Sequence, residues 1–181
     1  MWTGSAREDV ALEPFKRWAE DELHMDPESN PAVHDWDPEL MRSIIDRQRK
    51  KVRKARKEGK RVPQMCMVCD DLADQKSAMG SNLLKELMMR GRHSWISTIL
   101  STQKLRCIDH ACRLQATSMA IFKVRCLKDW LVVLEEFTAA VDPKVLQKMY
   151  DIATPDEYGF LFIDLKNVKF YRSFKSELKA N

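Results

Sequence analysis

Apolar residues follow the helical period in some segments of the chain and form short continuous runs in others. Between Asp37 and Gly59, apolar positions recur at helical spacing, which predicts one long helix. Short apolar runs at 64–69, 94–101 and 119–124 predict buried strands, with helices between them. This alternation of strands and helices predicts an α/β sheet with helices on its faces.

The two ends of the chain differ from this alternating middle. The last apolar segments, YGFLFIDL and VKFYRSF, are joined by Lys166-Asn167 and predict an antiparallel hairpin at the C-terminal edge. Near the other end, DPESNPAVHDWDP contains three prolines and no period. We therefore expect a weakly ordered acidic segment over 1–36 and one α/β domain over 37–181.

Composition indicates a globular protein outside membranes. Of the 181 residues, 44% are hydrophobic and 32% are charged, and no apolar run approaches the roughly 20 residues of a membrane span. The N-terminus lacks the layout of a signal peptide, so we expect a cytoplasmic or nuclear location without a membrane partner. Five cysteines, an odd number, argue against a disulfide framework.

A strongly basic segment, residues 47–61, carries ten Lys or Arg and one acid. Such a block can bind the phosphate backbone of a nucleic acid by releasing counterions. The alternative is a solvated helix face, directed toward the acidic residues of 20–39. The predicted nucleic-acid contacts are Arg49, Lys50, Lys51, Arg53, Lys54, Arg56 and Lys57.

Two adjacent acids follow the buried strand MCMVC. Because ligands bind beyond the carboxyl ends of strands in open α/β sheets, Asp70 and Asp71 lie where a Walker B pair would. In that arrangement one acid holds Mg²⁺ through water and the other orients or deprotonates an attacking water. The alternative is that the acids cap the following helix. Gln103 ends the next strand, and its amide can donate to a phosphate oxygen and accept from a water.

Four segments, MCMVCDD, LLKELMMRGRHSWISTILSTQ, ACRLQATSMAIFK and YDIATPDEYGFLFIDL, together resemble the FtsK/HerA superfamily. The resemblance covers roughly residues 40–174 and is greatest to the genome-packaging ATPases of poxviruses and giant DNA viruses. It implies a partial P-loop-NTPase sheet of the RecA/FtsK type. It also implies that Asp70 is the magnesium-linked acid, Asp71 the water-activating acid and Gln103 the sensor glutamine.

The resemblance extends to arginines. Arg113 in CRLQA matches an arginine that the viral enzymes usually follow two residues later with Asn, where this chain has Gln115. Arg90 and Arg92 flank Gly91, and the resemblance implies that one of them, taken here as Arg92, acts as an arginine finger. The alternative for both is favourable charge at a helix C-terminus.

The phosphate-binding loop of this superfamily, GxxxxGK[ST], is absent. Only Gly4 and Gly59 precede Asp70, and Gly59-Lys60 is followed by Arg61 in a charged helix end. The resemblance implies that intact relatives use ATP and Mg²⁺ and form homo-oligomeric rings on double-stranded DNA. We therefore expect residues 37–181 to be an incomplete ATPase-like domain, the C-terminal half of a DNA-packaging ATPase that is inactive alone.

Two other functions remain open from the residues. The first is a non-enzymatic nucleic-acid-binding module that uses the basic segment and keeps a vestigial nucleotide site. The second is a metal-dependent nuclease, in which Asp74, Asp109 and Asp164 would join the adjacent acids.

Overall fold

The computed structural model describes residues 1–4, 9–26, 32–72 and 81–179. Two compact units contain them: Met1–Gln103 with Cys107–Cys112, and Lys104–Arg106 with Arg113–Asn181. The sequence did not predict this division, and its own boundary after residue 36 stays a prediction. None of the helices in the described ranges combines the length and apolar character that crossing a bilayer requires.

The first unit is built on a parallel sheet of four strands in the order β2-β1-β3-β4. The longer strands, β3 and β4, pair in register from Met65 opposite Ile96 to Cys69 opposite Leu100. The strands are β1 (Trp2–Thr3), β2 (His34–Asp35), β3 (Met65–Asp70) and β4 (Ile96–Leu100), and the helices are α1 (Glu13–Leu23), α2 (Pro38–Lys57) and α3 (Asn82–Arg90).

The described part of residues 1–36 forms regular structure where weak order was predicted. Its strand β1 lies between β2 and β3, with Thr3 opposite Asp70. The Met1 ammonium group donates a hydrogen bond to the Ala32 carbonyl at 2.6 Å, and burial lowers its pKa. Strands of two residues are too short to show a hydrophobic period, so pattern alone could not reveal them.

The predicted long helix is α2. It begins at Pro38 because the Asp37 carboxylate accepts hydrogen bonds from the backbone N–H groups of Glu39 and Leu40. Its buried stripe continues through the basic half as far as Ala55, while most of the basic side chains lie exposed on the opposite face. The helix therefore packs along its whole length and presents a charged outer face.

The second unit is an antiparallel sheet in the order β5-β6-β7-β8, with two helices over one face. Its core includes Trp130, Leu146, Tyr150 and Leu161. The fold class is confirmed, with the difference that the strands form two sheets. Helix α4 (His110–Arg113) has only its last residue in this unit, and the other elements are β5 (Ser118–Phe122), α5 (Leu127–Phe137), α6 (Pro143–Ala153), β6 (Phe160–Asp164), β7 (Lys169–Arg172) and β8 (Ser176–Leu178).

The predicted hairpin joins β6 to β7. The Asp164 carboxylate accepts hydrogen bonds from the backbone N–H groups of Lys166 and Asn167, and Val168 has a left-handed φ of 52°. The Asn167 side chain also donates to that carboxylate and is the main cause of its lowered pKa. An aspartate at the first position therefore closes a turn that Lys166-Asn167 alone specifies weakly.

Candidate catalytic site at the carboxyl end of the parallel sheet

The two acids lie at the carboxyl end of β3, the central strand with the longest pairing. Asp70 is the last residue of β3 and is half-buried, whereas Asp71 is exposed. Asp71 has a φ of +44°, a left-handed conformation that Asp tolerates better than most residues. The chain thus turns sharply at Asp71, and the two carboxylates occupy different environments.

Gln103 reaches this same edge from the end of β4. Its Nε2 donates a hydrogen bond to the Asp71 Oδ2 at 3.0 Å. The Ser101 N–H donates to the Cys69 carbonyl at 2.8 Å, so pairing of the two strands continues one residue beyond β4. This extension holds the segment before Gln103 against the end of β3 and brings the predicted sensor amide to the second acid.

The oxygen atoms at this edge suit a magnesium ion. None of the ion pairs found among the described residues includes Asp70 or Asp71. Mg²⁺ prefers carboxylate oxygens and retains several of its waters. The described ranges contain no cluster of three or more His, Cys, Asp or Glu that could hold a metal. The edge therefore fits an ion held by one or two carboxylates with water and phosphate.

One residue at this edge was missed by sequence reasoning. Thr3 is 3% exposed and lies opposite Asp70 at the carboxyl end of β1, with Gly4 following it. A hydroxyl can both donate and accept hydrogen bonds, so Thr3 adds a polar side chain beside the Asp70 carboxylate. The two-residue strand that places Thr3 there carries no pattern from which it could have been found.

The predicted arginines lie in other surroundings. Arg113 belongs to the second unit, where its Nε donates to the Glu136 carboxylate at 2.6 Å, and both side chains are 13% exposed. Arg92 is exposed in a 3-10 turn that follows α3, Gly91–Ser94. The structure therefore brings together Asp70, Asp71 and Gln103 within one unit, and gives Arg113 a carboxylate partner of its own.

The additional carboxylates of the nuclease hypothesis do not form a group. Asp109 is paired with the Lys85 ammonium at 2.8 Å, an interaction that raises the pKa of Lys85. Asp164 closes the hairpin turn in the other unit. Asp74 lies outside the described residues. Nothing in the described part of the chain gathers a third carboxylate at the Asp70–Asp71 edge, so the nuclease hypothesis gains no support.

The predicted nucleic-acid contacts separate into two kinds. Arg49 is half-buried and bridges Glu86 at 2.7 Å and Asp46 at 3.2 Å, and its hydrogen bond to Glu86 is the main cause of its raised pKa. The other six side chains are exposed along α2: Lys50, Lys51, Arg53, Lys54, Arg56 and Lys57. Arg49 is thus an anchor between α2 and α3, and the six form the outer basic face.

The fold has counterparts among solved structures. The genome-packaging NTPase B204 of Sulfolobus turreted icosahedral virus 2, in complex with ATP-gammaS, superposes with a TM-score of 0.54 at 16% identity. Its complex with AMPPCP gives 0.53 at 17% identity. Each match covers 84% of this chain and 69% of the NTPase. The chain therefore has the fold of a viral genome-packaging NTPase.

The family follows from the sequence. The family described as Poxvirus A32 protein matches residues 37–158, which is more than half of the chain. The chain belongs to the Poxvirus A32 protein family, and the predicted resemblance to viral genome-packaging ATPases is confirmed. Among curated protein sequences, none is significantly similar to this chain.

Proposed function

We propose that this chain is the Walker B and sensor part of a DNA-packaging ATPase, and that it needs a phosphate-binding loop from another segment to hydrolyse ATP. The observation that carries the proposal is the hydrogen bond from Gln103 to Asp71 at the ends of two paired parallel strands. Ligands of open α/β sheets bind at such ends. The membership in the Poxvirus A32 protein family supports the same reaction class.

The three residues have distinct roles in this proposal. A bound Mg²⁺ would neutralise phosphate charge, and Asp70 would hold it through water. Asp71 takes the proton of the attacking water as the bond from the γ-phosphorus to the bridging oxygen breaks, releasing ADP and phosphate. Gln103, which donates a hydrogen bond to Asp71, orients the attacking water and donates to the γ-phosphate.

Without the phosphate-binding loop, we expect the chain alone to be inactive. A glycine-rich loop supplies several backbone N–H groups to the phosphates, and oriented donors of this kind provide most of the catalysis in phosphoryl transfer. The sequence has no GxxxxGK[ST] segment. We therefore expect this chain alone to turn over ATP at a rate near that of the uncatalysed reaction.

The exposed basic side chains of α2 support duplex DNA as a partner of the chain. The exposed basic face of α2 carries six Lys and Arg side chains on a helix that packs along its whole length. Such a face binds phosphate without reading sequence. The alternative function, a non-enzymatic nucleic-acid-binding module, would use this same face. We propose a homo-oligomeric ring only for the complete ATPase.

ATP hydrolysis by the purified chain tests whether the chain is a complete enzyme or needs a loop from another segment. We expect phosphate release with Mg²⁺-ATP to be the same for wild type, Asp71→Asn and Gln103→Ala, because none has a phosphate cradle. A wild-type rate well above background that Asp71→Asn abolishes would show that the chain is a complete enzyme. DNA binding that persists in both variants would be consistent with either proposal, so it is measured separately on α2 variants.

A further inference from the structure

The antiparallel sheet of the second unit has a different environment on each of its two faces. Residues that lie opposite each other on paired strands share a face. Ile121 lies opposite Leu161, and both are buried in the core with Trp130 of α5 and Leu146 of α6. In the described part of this unit, α5 and α6 therefore cover one face of the sheet and leave the other face without a helix.

Five aromatic residues gather on the face that the helices leave open. Phe122 lies opposite Phe160, and Phe162 lies opposite Tyr171. The ring centroids of the first pair are 5.0 Å apart, and those of the second pair are 6.1 Å apart. The ring of Phe174, from the turn between β7 and β8, lies 4.9 Å from that of Phe160 and 5.1 Å from that of Phe162. These five residues form one connected cluster, which we call the aromatic face.

The position of Phe174 is set by the backbone of its turn. Ser173 has a left-handed φ of 53°, and its N–H donates a hydrogen bond to the Phe160 carbonyl at 2.9 Å. The Phe174 ring stands at 69° to the ring of Phe160 and at 64° to that of Phe162. Rings in this edge-to-face arrangement attract each other. The aromatic face therefore presents ring surfaces in two orientations, held by strands and by a fixed turn.

The aromatic face is exposed to solvent. Phe174 is 74% exposed and Phe122 is 51% exposed, and the other three rings are half-buried. Single exposed apolar residues are ordinary, but a contiguous exposed patch of large apolar side chains marks an interaction site. The cluster is contiguous because each ring contacts at least one other. We therefore expect the aromatic face to bind a partner.

The charge next to the aromatic face indicates the kind of partner. Residues 166–179, which include β7, the turn and β8, carry five Lys or Arg and one acid. Each of the two most exposed rings is also followed by an exposed lysine, Lys123 after Phe122 and Lys175 after Phe174. A second copy of this chain would bring two basic segments together, and such like-charge contacts are unfavourable. The charge favours a partner that is itself negative.

We infer that the aromatic face binds the unpaired bases of a single-stranded nucleic acid, with the adjacent basic residues holding its phosphates. Sequence-tolerant binding of single strands combines aromatic rings, on which bases stack, with a positively charged surface along the backbone. In RNA-recognition modules, the aromatic rings of a four-stranded sheet stack about two or three bases. The sheet described here also has four strands and carries its rings on the open face.

This binding activity is separate from the functions proposed above. The aromatic face lies in the second unit, whereas the Asp70–Asp71 edge and the outer basic face of α2 lie in the first. The bases of a duplex are stacked on each other and offer no free ring surface, so the aromatic face should not bind duplex DNA. Phenylalanine has no hydrogen-bonding group, so we expect little sequence preference.

Two kinds of oligonucleotide separate base stacking from phosphate binding. One is a labelled single strand of about 12 thymidines or uridines, and the other has the same length and phosphates but abasic sugars. Fluorescence anisotropy at fixed salt measures their affinities for the full chain with Lys50, Lys51 and Lys54 changed to Gln, which weakens the basic face of α2. We expect thymidine or uridine to bind at least about ten-fold more tightly than the abasic strand. The tighter of the two identifies DNA or RNA as the ligand.

Variants in the same background assign the preference to the rings. Phe174→Ala and Phe122→Ala should each reduce the preference for bases over abasic sugars by about five-fold or more and leave the abasic affinity unchanged. Phe174→Tyr keeps a ring and should keep the preference. Ile152→Ala is the matched control, because Ile152 is 53% exposed on α6, in the helical layer of the same unit. Thermal unfolding verifies that each variant is folded.

The result that overturns the inference is equal affinity for strands with and without bases. Retention of the preference in folded Phe174→Ala and Phe122→Ala would also overturn it. A dimer in sedimentation that Phe174→Ala dissociates, and that excludes the oligonucleotides, would assign the aromatic face to a second copy instead. Because the measurement uses neither ATP nor Mg²⁺, its outcome is independent of the proposed ATPase function.

Discussion

At the residue scale, the arrangement of acid and amide depends on local geometry that no single residue supplies. The left-handed turn at Asp71 directs its carboxylate, and the extended pairing through Ser101 places Gln103 within hydrogen-bonding distance of it. The sequence predicted that these residues share one edge because parallel strands end together. It did not predict Thr3, whose position depends on pairing between β1 and β3.

The buried thiol of Cys69 should make the free energy of unfolding depend on pH. The thiol is fully buried directly before the two acids, and burial raises its pKa from 9.0 to about 11. Because the folded-state pKa is raised, the neutral thiol stabilises the protein fully below pH 9, and this contribution is lost as pH rises toward 11. Two pKa units correspond to about 2–3 kcal/mol.

The variant Cys69→Ala isolates this effect. Its loss of packing does not depend on pH, whereas the thiol contribution does. Urea unfolding at pH 7 and pH 10.5 should therefore show that the difference in the free energy of unfolding between wild type and variant shrinks at high pH. Cys66→Ala, at an exposed position on the same strand, is the control and should show no such change. A constant difference for Cys69→Ala would contradict the assignment.

At the element scale, α2 combines a structural face with a charged face. Its buried stripe runs from Met41 to Ala55, and Gln48 within it donates hydrogen bonds to the carbonyls of Pro63 and Ser94. These contacts fix the helix against the segments that lead into β3 and β4. The basic face is thus held on a rigid element, which suits binding to a phosphate backbone.

The division between Arg49 and the outer basic residues can be tested with DNA. Changing Lys50, Lys51 and Lys54 together to Gln should weaken binding to duplexes of any sequence and reduce the slope of log affinity against log salt by about three. Arg49→Gln should leave that slope unchanged and lower the thermal stability, because Arg49 pairs with Glu86 and Asp46. Equal slopes for the triple variant and wild type would rule out this DNA surface.

Hydrophobic pattern specifies some elements of this fold and not others, for physical reasons. Helix α2, strands β3 and β4 and the β6–β7 hairpin were predicted because each has a full period of apolar residues or a capped end. The separation into two sheets was not predicted, because hydrophobic pattern does not show which strands pair with each other. Strand β5 is an example. Its apolar run predicted a strand, but its antiparallel pairing with β6 depends on tertiary contacts.

At the scale of the whole molecule, membership in the family does not require that the chain contain the phosphate-binding loop. The chain belongs to the Poxvirus A32 protein family and has the fold of a packaging NTPase, yet its sequence lacks the phosphate loop that the reaction needs. The proposal that a loop from another segment completes the site rests on that absence from the sequence.

The most direct test of the central claim is paramagnetic line broadening by Mn²⁺, which replaces Mg²⁺ at oxygen sites. Mn²⁺ should first broaden the amide resonances of Asp70, Asp71 and Gln103, and the effect should disappear in Asp70→Asn/Asp71→Asn. Asp164→Asn, which changes an acid in the other unit, is the matched control. Broadening that is centred elsewhere, or that persists at these amides in the double variant, would contradict a magnesium site at the end of β3.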